Sequence, residues 1–289
     1  MPPMTQTGPV FSCEFFPPKT EDGINKLTAT SKALADVKPR FFSVTFGAGG
    51  STRDRTFETV VNLQKESGID TAPHLSCISS TRENIREMLT GYQDKNINHI
   101  VALRGDMPSG MVEAGEFRYA NELVTFIREE TGDHFHIEVA AYPEYHPQAT
   151  SPDRDLANFK RKVDAGASSA ITQYFYNPDA YFRFIDRCNS VGIDIDIVPG
   201  IMPITNYYQL ARFSDACGAE IPRWIRKRLE SYGEDLESIR TFGEDVAASL
   251  CTRLLEQGAP GLHFYTLNRA EPVLAIWGKL GLEASQHSQ

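Results

Sequence analysis

No stretch of this chain approaches the roughly 18 continuous apolar residues that a membrane-spanning helix needs, so a membrane protein is not expected. The opening segment, MPPMTQTGPV, lacks a basic region followed by an apolar run, and a secretory signal is not expected either. Five cysteines (Cys13, Cys77, Cys188, Cys217 and Cys251) form no C-x-x-C pair and leave one over. That usage fits reduced thiols in a cytoplasmic protein better than a disulfide framework. Positive charge is scarce: 29 Lys and Arg stand against 38 Asp and Glu, a formal net charge of −9. A nucleic-acid partner needs a concentrated basic face and is therefore not expected, although a few local cations suffice to hold a phosphate. The dinucleotide fingerprint G-x-G-x-x-G is also missing. In GAGGST, Gly47 to Thr52, a threonine takes the place of the third glycine, and a tight turn into a helix is the plainer reading.

What is present is the composition of a folded enzyme, 41% hydrophobic and 23% charged, in 289 residues. Short β-branched and aromatic runs (VFSCEFF, RFFSVTF, IDTAPHL, HIVALRG, HIEVAAY, SAITQYF, IDIVPGI and LHFYTL) alternate with helical segments. Ser80 with Glu83 reads as a capping box ahead of one helix, and Gly166 as the stop of another. Strands separated by helices imply parallel β-α units. Eight of them, in a chain somewhat longer than about 250 residues, point to the α/β class and a (β/α)8 TIM barrel. The segment from Thr205 to Gln257 is too long for one helix and reads as an extra helical insertion before the last strand. A single catalytic domain over residues 1–289 is expected, with the barrel proper at about 9–282. A doubly wound open sheet is the competing architecture.

In such a barrel the chemistry gathers at the C-terminal ends of the strands. Alternation along strand one puts Val10, Ser12 and Glu14 on one face and Phe11, Cys13 and Phe15 on the other, so Glu14 is expected at the barrel mouth. The same rule places Thr45, His74, Arg104 with Asp106, and Gln173 at the ends of strands two, three, four and six. Each alone reads as a cap, a satisfied core histidine or a rim ion pair, but all converge on one rim. Asp155, Asn158 and Lys162, with Arg161 alongside, form a polar stripe on the helix after strand five. Such a stripe is usually a solvated face. Here it follows the loop PEYHPQATSPDR, which leaves the same rim, and it suits ribose hydroxyls and a diphosphate. Metal is not expected. His134 and His136 alternate in HFH, but at the stability end of strand five, and no spacing requires His74 and His146 to share an ion. No cysteine sits at a strand end beside an obvious base.

The motifs EFFPPK, VTFGAGGSTRDRT, APHLSC, HIVALRGD, AAYPEYHP, NFKRKVDAGA, ITQYFY, PGIMPITN and HFYTLNRAE occur in one order from about Phe11 to the region of Leu280. Together they resemble the bacterial-type methylenetetrahydrofolate reductases. The resemblance implies a barrel that holds FAD noncovalently. It implies that NADH or NADPH, as co-substrate, and 5,10-methylenetetrahydrofolate take turns at one flavin face, giving 5-methyltetrahydrofolate in a ping-pong sequence of one-carbon metabolism and methionine supply. By the same resemblance Glu14 is the general acid of the folate step. Burial among aromatic side chains is expected to raise its pKa so that it holds a proton near neutral pH. Asp106 matches the carboxylate that lies near flavin and pterin. Thr45, His74, Arg104, Gly105, Tyr119, Ala120, Tyr142, His146, Asp155, Asn158, Arg161 and Lys162 match flavin contacts. Gln173, Tyr207 and Arg269 match the folate side, with Tyr207 taken as the aromatic that stacks on substrate. Two rivals remain: a barrel that keeps the ligand without turnover, and a flavin barrel acting on another donor. Neither the nicotinamide preference nor association into a homo-oligomer is decided by the sequence.

Overall fold

A computed structural model describes residues 9–46, 50–105 and 115–282. Its strands are β1 (Val10–Phe15), β2 (Phe41–Val44), β3 (Asp70–Ser76), β4 (His99–Leu103), β5 (His136–Ala141), β6 (Ser169–Thr172), β7 (Asp196–Val198), β8 (Gly200–Ile201) and β9 (Gly261–Tyr265). All pair in parallel, in the order β7-β6-β5-β4-β3-β2-β1-β9-β8. β7 and β8 are one strand position interrupted at Pro199, which has no N–H to give a ladder. β7 pairs with β6 and β8 with β9, so eight positions close the ring. The expected (β/α)8 barrel is what the chain forms.

Helices α1 (Glu21–Ala35), α2 (Gly50–Ser67), α3 (Arg82–Asp94), α4 (Ala120–Thr131), α5 (Pro152–Asp164) and α6 (Pro178–Ser190) follow the first six strands in turn. Between β8 and β9 lie α7 (Tyr207–Cys217), α8 (Arg223–Tyr232) and α9 (Leu236–Glu256), the insertion that the long segment announced. α10 (Glu271–Lys279) closes the ring behind β9. The expected cap of α3 shifts by one residue: Thr81, not Ser80, accepts from the backbone of Asn84, while the Ser80 hydroxyl donates to Ser76 O. α5 ends as expected, with Gly166 at φ 109° just past its last turn.

The pleat sorts the side chains. Cys13 and Phe15 are buried outside the barrel wall, Phe15 edge-to-face with Phe42 and Phe11 against Trp277 of α10. Burying such aromatics contributes about 1.5–3 kcal/mol apiece. Inside the barrel, Phe41, Ala72, Val101 and Ile171 pack with Leu103 into an apolar plug. Polar groups collect above and below it.

Candidate active site

Above the plug, at the C-terminal ends of the strands, opens a cavity of about 810 Å³. Glu14, Thr45, His74, Gly105, Tyr142, His146 and Gln173 line it, seven of the residues singled out in the sequence. Val101, Leu103, Ile171 and Met202 form its apolar walls.

Glu14 is the chemical centre. Its side chain is 18% exposed, and its Oε2 lies 3.2 Å from His74 Nε2 and 3.7 Å from His263 Nε2. His263 is fully buried on β9, its Nδ1 held 2.7 Å from Ser12 Oγ. Neither Nε2 has a well-aimed hydrogen bond among the described residues, so two buried ring nitrogens converge on one carboxylate oxygen. Burial pushes the Glu14 carboxyl up, as expected. The charge of His74 and the polar contacts from His263 and His74 outweigh it and hold the group down, from its ordinary 4.5 to about 2. The expected raised pKa is therefore corrected. The aromatic neighbours supply desolvation, but strand alternation brings two imidazoles to the same oxygen, and charge wins. Nor is Arg104 the partner of Glu14. It donates to Gln148 Oε1 at 2.6 Å and to Gly105 O at 3.1 Å.

The β4 end explains Gly105. Its φ is +83°, and a Cβ there would stand 1.9 Å from Ser76 Oγ and 2.9 Å from Ile78 Cγ2. Only glycine lets the chain leave β4 this closely over β3. Asp106 lies outside the described residues.

The helix after β5 reaches the rim from the side. Asp155 accepts from His146 N at 2.9 Å and so ties α5 to the cavity loop. Lys162 donates to Ala140 O beneath the cavity, and burial lowers its pKa to about 8. Asn158 accepts from Arg161 at 3.0 Å on the exposed face of α5. Gln173 accepts from Tyr174 N at 3.0 Å, which fixes its amide at the end of β6. Tyr119 caps α4 and is 58% exposed, and Ala120 begins that helix. Neither lines the cavity.

Two folate-side candidates do not line the cavity. Tyr207 is the first residue of α7, turned toward α8, where its hydroxyl donates to Glu230 at 3.3 Å. The cavity face of α7 is Phe213, Ala216 and Cys217, spaced i, i+3, i+4, and Tyr207 falls off that stripe. Arg269 is exposed and does not line the cavity. Leu267 of the same turn does. That turn is held by Asn268, which exchanges two 2.9 Å hydrogen bonds with the Phe16 backbone and so continues the β1–β9 pairing past the strands.

The sequence reading missed His263, Tyr265 and Phe213. The first two were detectable, because the alternation that aims Glu14 inward also aims His263 and Tyr265. Tyr265 donates to Thr172 O at 2.8 Å and closes the side of the cavity.

Comparison with known proteins agrees in kind. A sequence profile described as "Methylenetetrahydrofolate reductase" matches residues 3–281. The chain is 43% identical over 271 residues to the 5,10-methylenetetrahydrofolate reductase of Escherichia coli, covering 94% of this chain and 90% of that one. It is 40% identical over 286 residues to an Arabidopsis thaliana relative named methylenetetrahydrofolate reductase (NADH) 1, covering 94% of this chain and 48% of that one. A solved structure of a Clostridium thermocellum protein that binds two copies of 5-methyl-5,6,7,8-tetrahydrofolic acid shares the fold. Its TM-score is 0.66 at 16% identity, over 94% of both chains.

Proposed function

Because the chain belongs to the methylenetetrahydrofolate reductase family, we propose that it reduces 5,10-methylenetetrahydrofolate to 5-methyltetrahydrofolate with NADH or NADPH, through a noncovalently held FAD. The observation that carries this reading is a buried carboxylate, Glu14, set between two imidazoles at the floor of a cavity large enough for a tricyclic ring. A mostly apolar pocket with a few converging polar groups is the usual form of a cofactor site. The residues present fit the flavin. Val101, Leu103, Ile171 and Met202 offer apolar walls, and His74, against Glu14, lines the same space. Thr45, His74, Arg104, Gly105, Tyr142 and His146 would hold the ring and its linker. Asp155, Asn158, Arg161 and Lys162 would hold ribose and diphosphate, with the two cations matching the phosphate charge. Tyr119 and Ala120, at the start of α4, would belong to the outer part of that set, and Asp106 would be the carboxylate that serves flavin and pterin. When bound, the flavin supplies reversible uptake and release of a hydride.

The protein's own part is the proton. Reduction of the methylene bridge consumes one proton and one hydride, because N10 must leave carbon with its electron pair. Glu14 rests as a carboxylate, held so by His74. Proton uptake at Glu14 Oε2, which lies 3.2 Å from His74 Nε2, discharges the carboxylate. It also leaves a carboxylic acid facing the cavity. Glu14 then protonates N10, the C–N10 bond breaks, and the resulting N5 iminium accepts hydride at its carbon. His263, fixed by Ser12, keeps the carboxyl group in place. Gln173 offers its amide to the pterin, and Phe213 the ring face for the attached aromatic, worth about 0.5–1.5 kcal/mol.

Half-reactions test the assignment. Glu14→Gln is expected to bleach with reduced nicotinamide as the parent does, and to fail to recolour with methylenetetrahydrofolate. Recolouring at the parent rate removes the acid role from Glu14.

A further inference from the structure

The opposite end of the barrel carries a second polar cluster that the reductase chemistry does not use. His99 on β4 and His136 on β5 are register partners, and Glu138 lies two residues further along the inward face of β5. Their ligating atoms all lie within 4.8 Å of one another. Glu138 Oε1 is 3.4 Å from His99 Nε2 and 3.5 Å from His136 Nε2. Two ligands on a tetrahedral ion with bonds of 2.0–2.1 Å stand about 3.3 Å apart, so these separations are the edges of such a tetrahedron.

We propose that His99, His136 and Glu138 bind one divalent transition-metal ion of the zinc class. Glu138 is 3% exposed, and its Oε2 has no hydrogen-bond partner among the described residues. His99 Nε2, on a residue 9% exposed, is in the same position. Polar atoms this deep are costly unless something satisfies them, and a cation held by the unprotonated His99 Nε2 and the Glu138 carboxylate satisfies both. Two imidazoles and one carboxylate suit zinc better than calcium or magnesium, which prefer oxygen. Access is open, since His99 and His136 line a second cavity of about 460 Å³ at this end, from which water completes the fourth position. His136 Nε2 gives up its 2.5 Å contact with Ser169 Oγ when it ligates. His134, the other histidine of HFH, takes no part: its Nε2 is held by Ile97 O at 3.1 Å.

The apolar plug of Phe41, Ala72, Val101 and Ile171 separates this cluster from the reductase cavity. The ion therefore clamps neighbouring strands at the stability end of the barrel and takes no step in the hydride chemistry.

The test uses the full chain without an affinity tag, stripped with chelator and titrated with Co²⁺ as the spectroscopic stand-in for Zn²⁺. One Co²⁺ per chain is expected, with the visible bands of a four- or five-coordinate ion and without a thiolate charge-transfer band, displaced by Zn²⁺. His136→Ala, at a partly exposed position, is expected to weaken binding about a hundredfold or more. It is also expected to abolish the Zn²⁺-induced rise in Tm, while His134→Ala leaves both as in the parent. No bands, a thiolate band, or undiminished binding by His136→Ala each overturns the site. If His136→Ala fails to fold, the parent spectrum and a Glu138→Gln titration decide by the same criteria.

Discussion

Acid titration of Glu14→Gln against the parent isolates the electrostatics of the cavity floor. The folded carboxyl is held at about 2 against an ordinary 4.5. A depressed carboxyl contributes stability that is complete above its unfolded pKa and is lost as pH falls through its folded one. The full difference is worth about 3 kcal/mol, of which about 2 kcal/mol disappears between about pH 5.5 and about pH 3. Glutamine cannot titrate, so the variant lacks this component. Urea unfolding, followed by circular dichroism across that interval, is the assay. The parent is expected to lose about 2 kcal/mol more than Glu14→Gln on acidification, whatever the other carboxylates contribute to both proteins. Parallel stability curves would refute the claim that His74 and His263 hold this carboxylate ionised.

Gly105→Ala places a Cβ 1.9 Å from Ser76 Oγ at a φ of +83°. A destabilisation of about 2 kcal/mol or more is expected by thermal unfolding, with reduced flavin retention. Phe213→Ala is expected to raise KM for folate several-fold in steady-state assays, and Tyr207→Ala to leave it unchanged, because only Phe213 faces the cavity. Lys162 carries a pKa lowered by burial from 10.5 to about 8, so the parent gains stability as pH rises through that interval. Lys162→Met removes the burial cost and is expected to gain about 1–2 kcal/mol near pH 7 by urea unfolding, after screening and the lost Ala140 hydrogen bond are discounted. The same variant should retain flavin less well in gel filtration.

The barrel was legible because each strand is a short β-branched or aromatic run and each helix an amphipathic one, so period alone marked eight units. The rim was legible for the same reason: alternation along VFSCEFF, IDTAPHL and SAITQYF is enough to aim Glu14, His74 and Gln173 inward. What alternation does not give is which strands become neighbours of a given side chain across the ring. β9 lies beside β1 only because the barrel closes, and His263 reaches Glu14 only through that closure. The sign of the Glu14 shift turned on that neighbour and on His74. Helix phase keeps Tyr207 off the cavity lining. Asn206 caps α7 by accepting from Gln209 N, which sets Tyr207 in the first turn and rotates Phe213, not Tyr207, over the cavity. The cluster of His99, His136 and Glu138 was hidden for a related reason. HFH invited a pairing along one strand, whereas the partner of His136 lies across the sheet.

Absorbance of the purified protein during an anaerobic sequence of additions is the most direct test that the Glu14 cavity holds a flavin and reduces folate. The expected result is a yellow protein that bleaches with NADH or NADPH, regains its colour with 5,10-methylenetetrahydrofolate, and yields 5-methyltetrahydrofolate in step with the colour. A protein that stays colourless when FAD is supplied in excess, or that bleaches and never recolours with the folate, contradicts it.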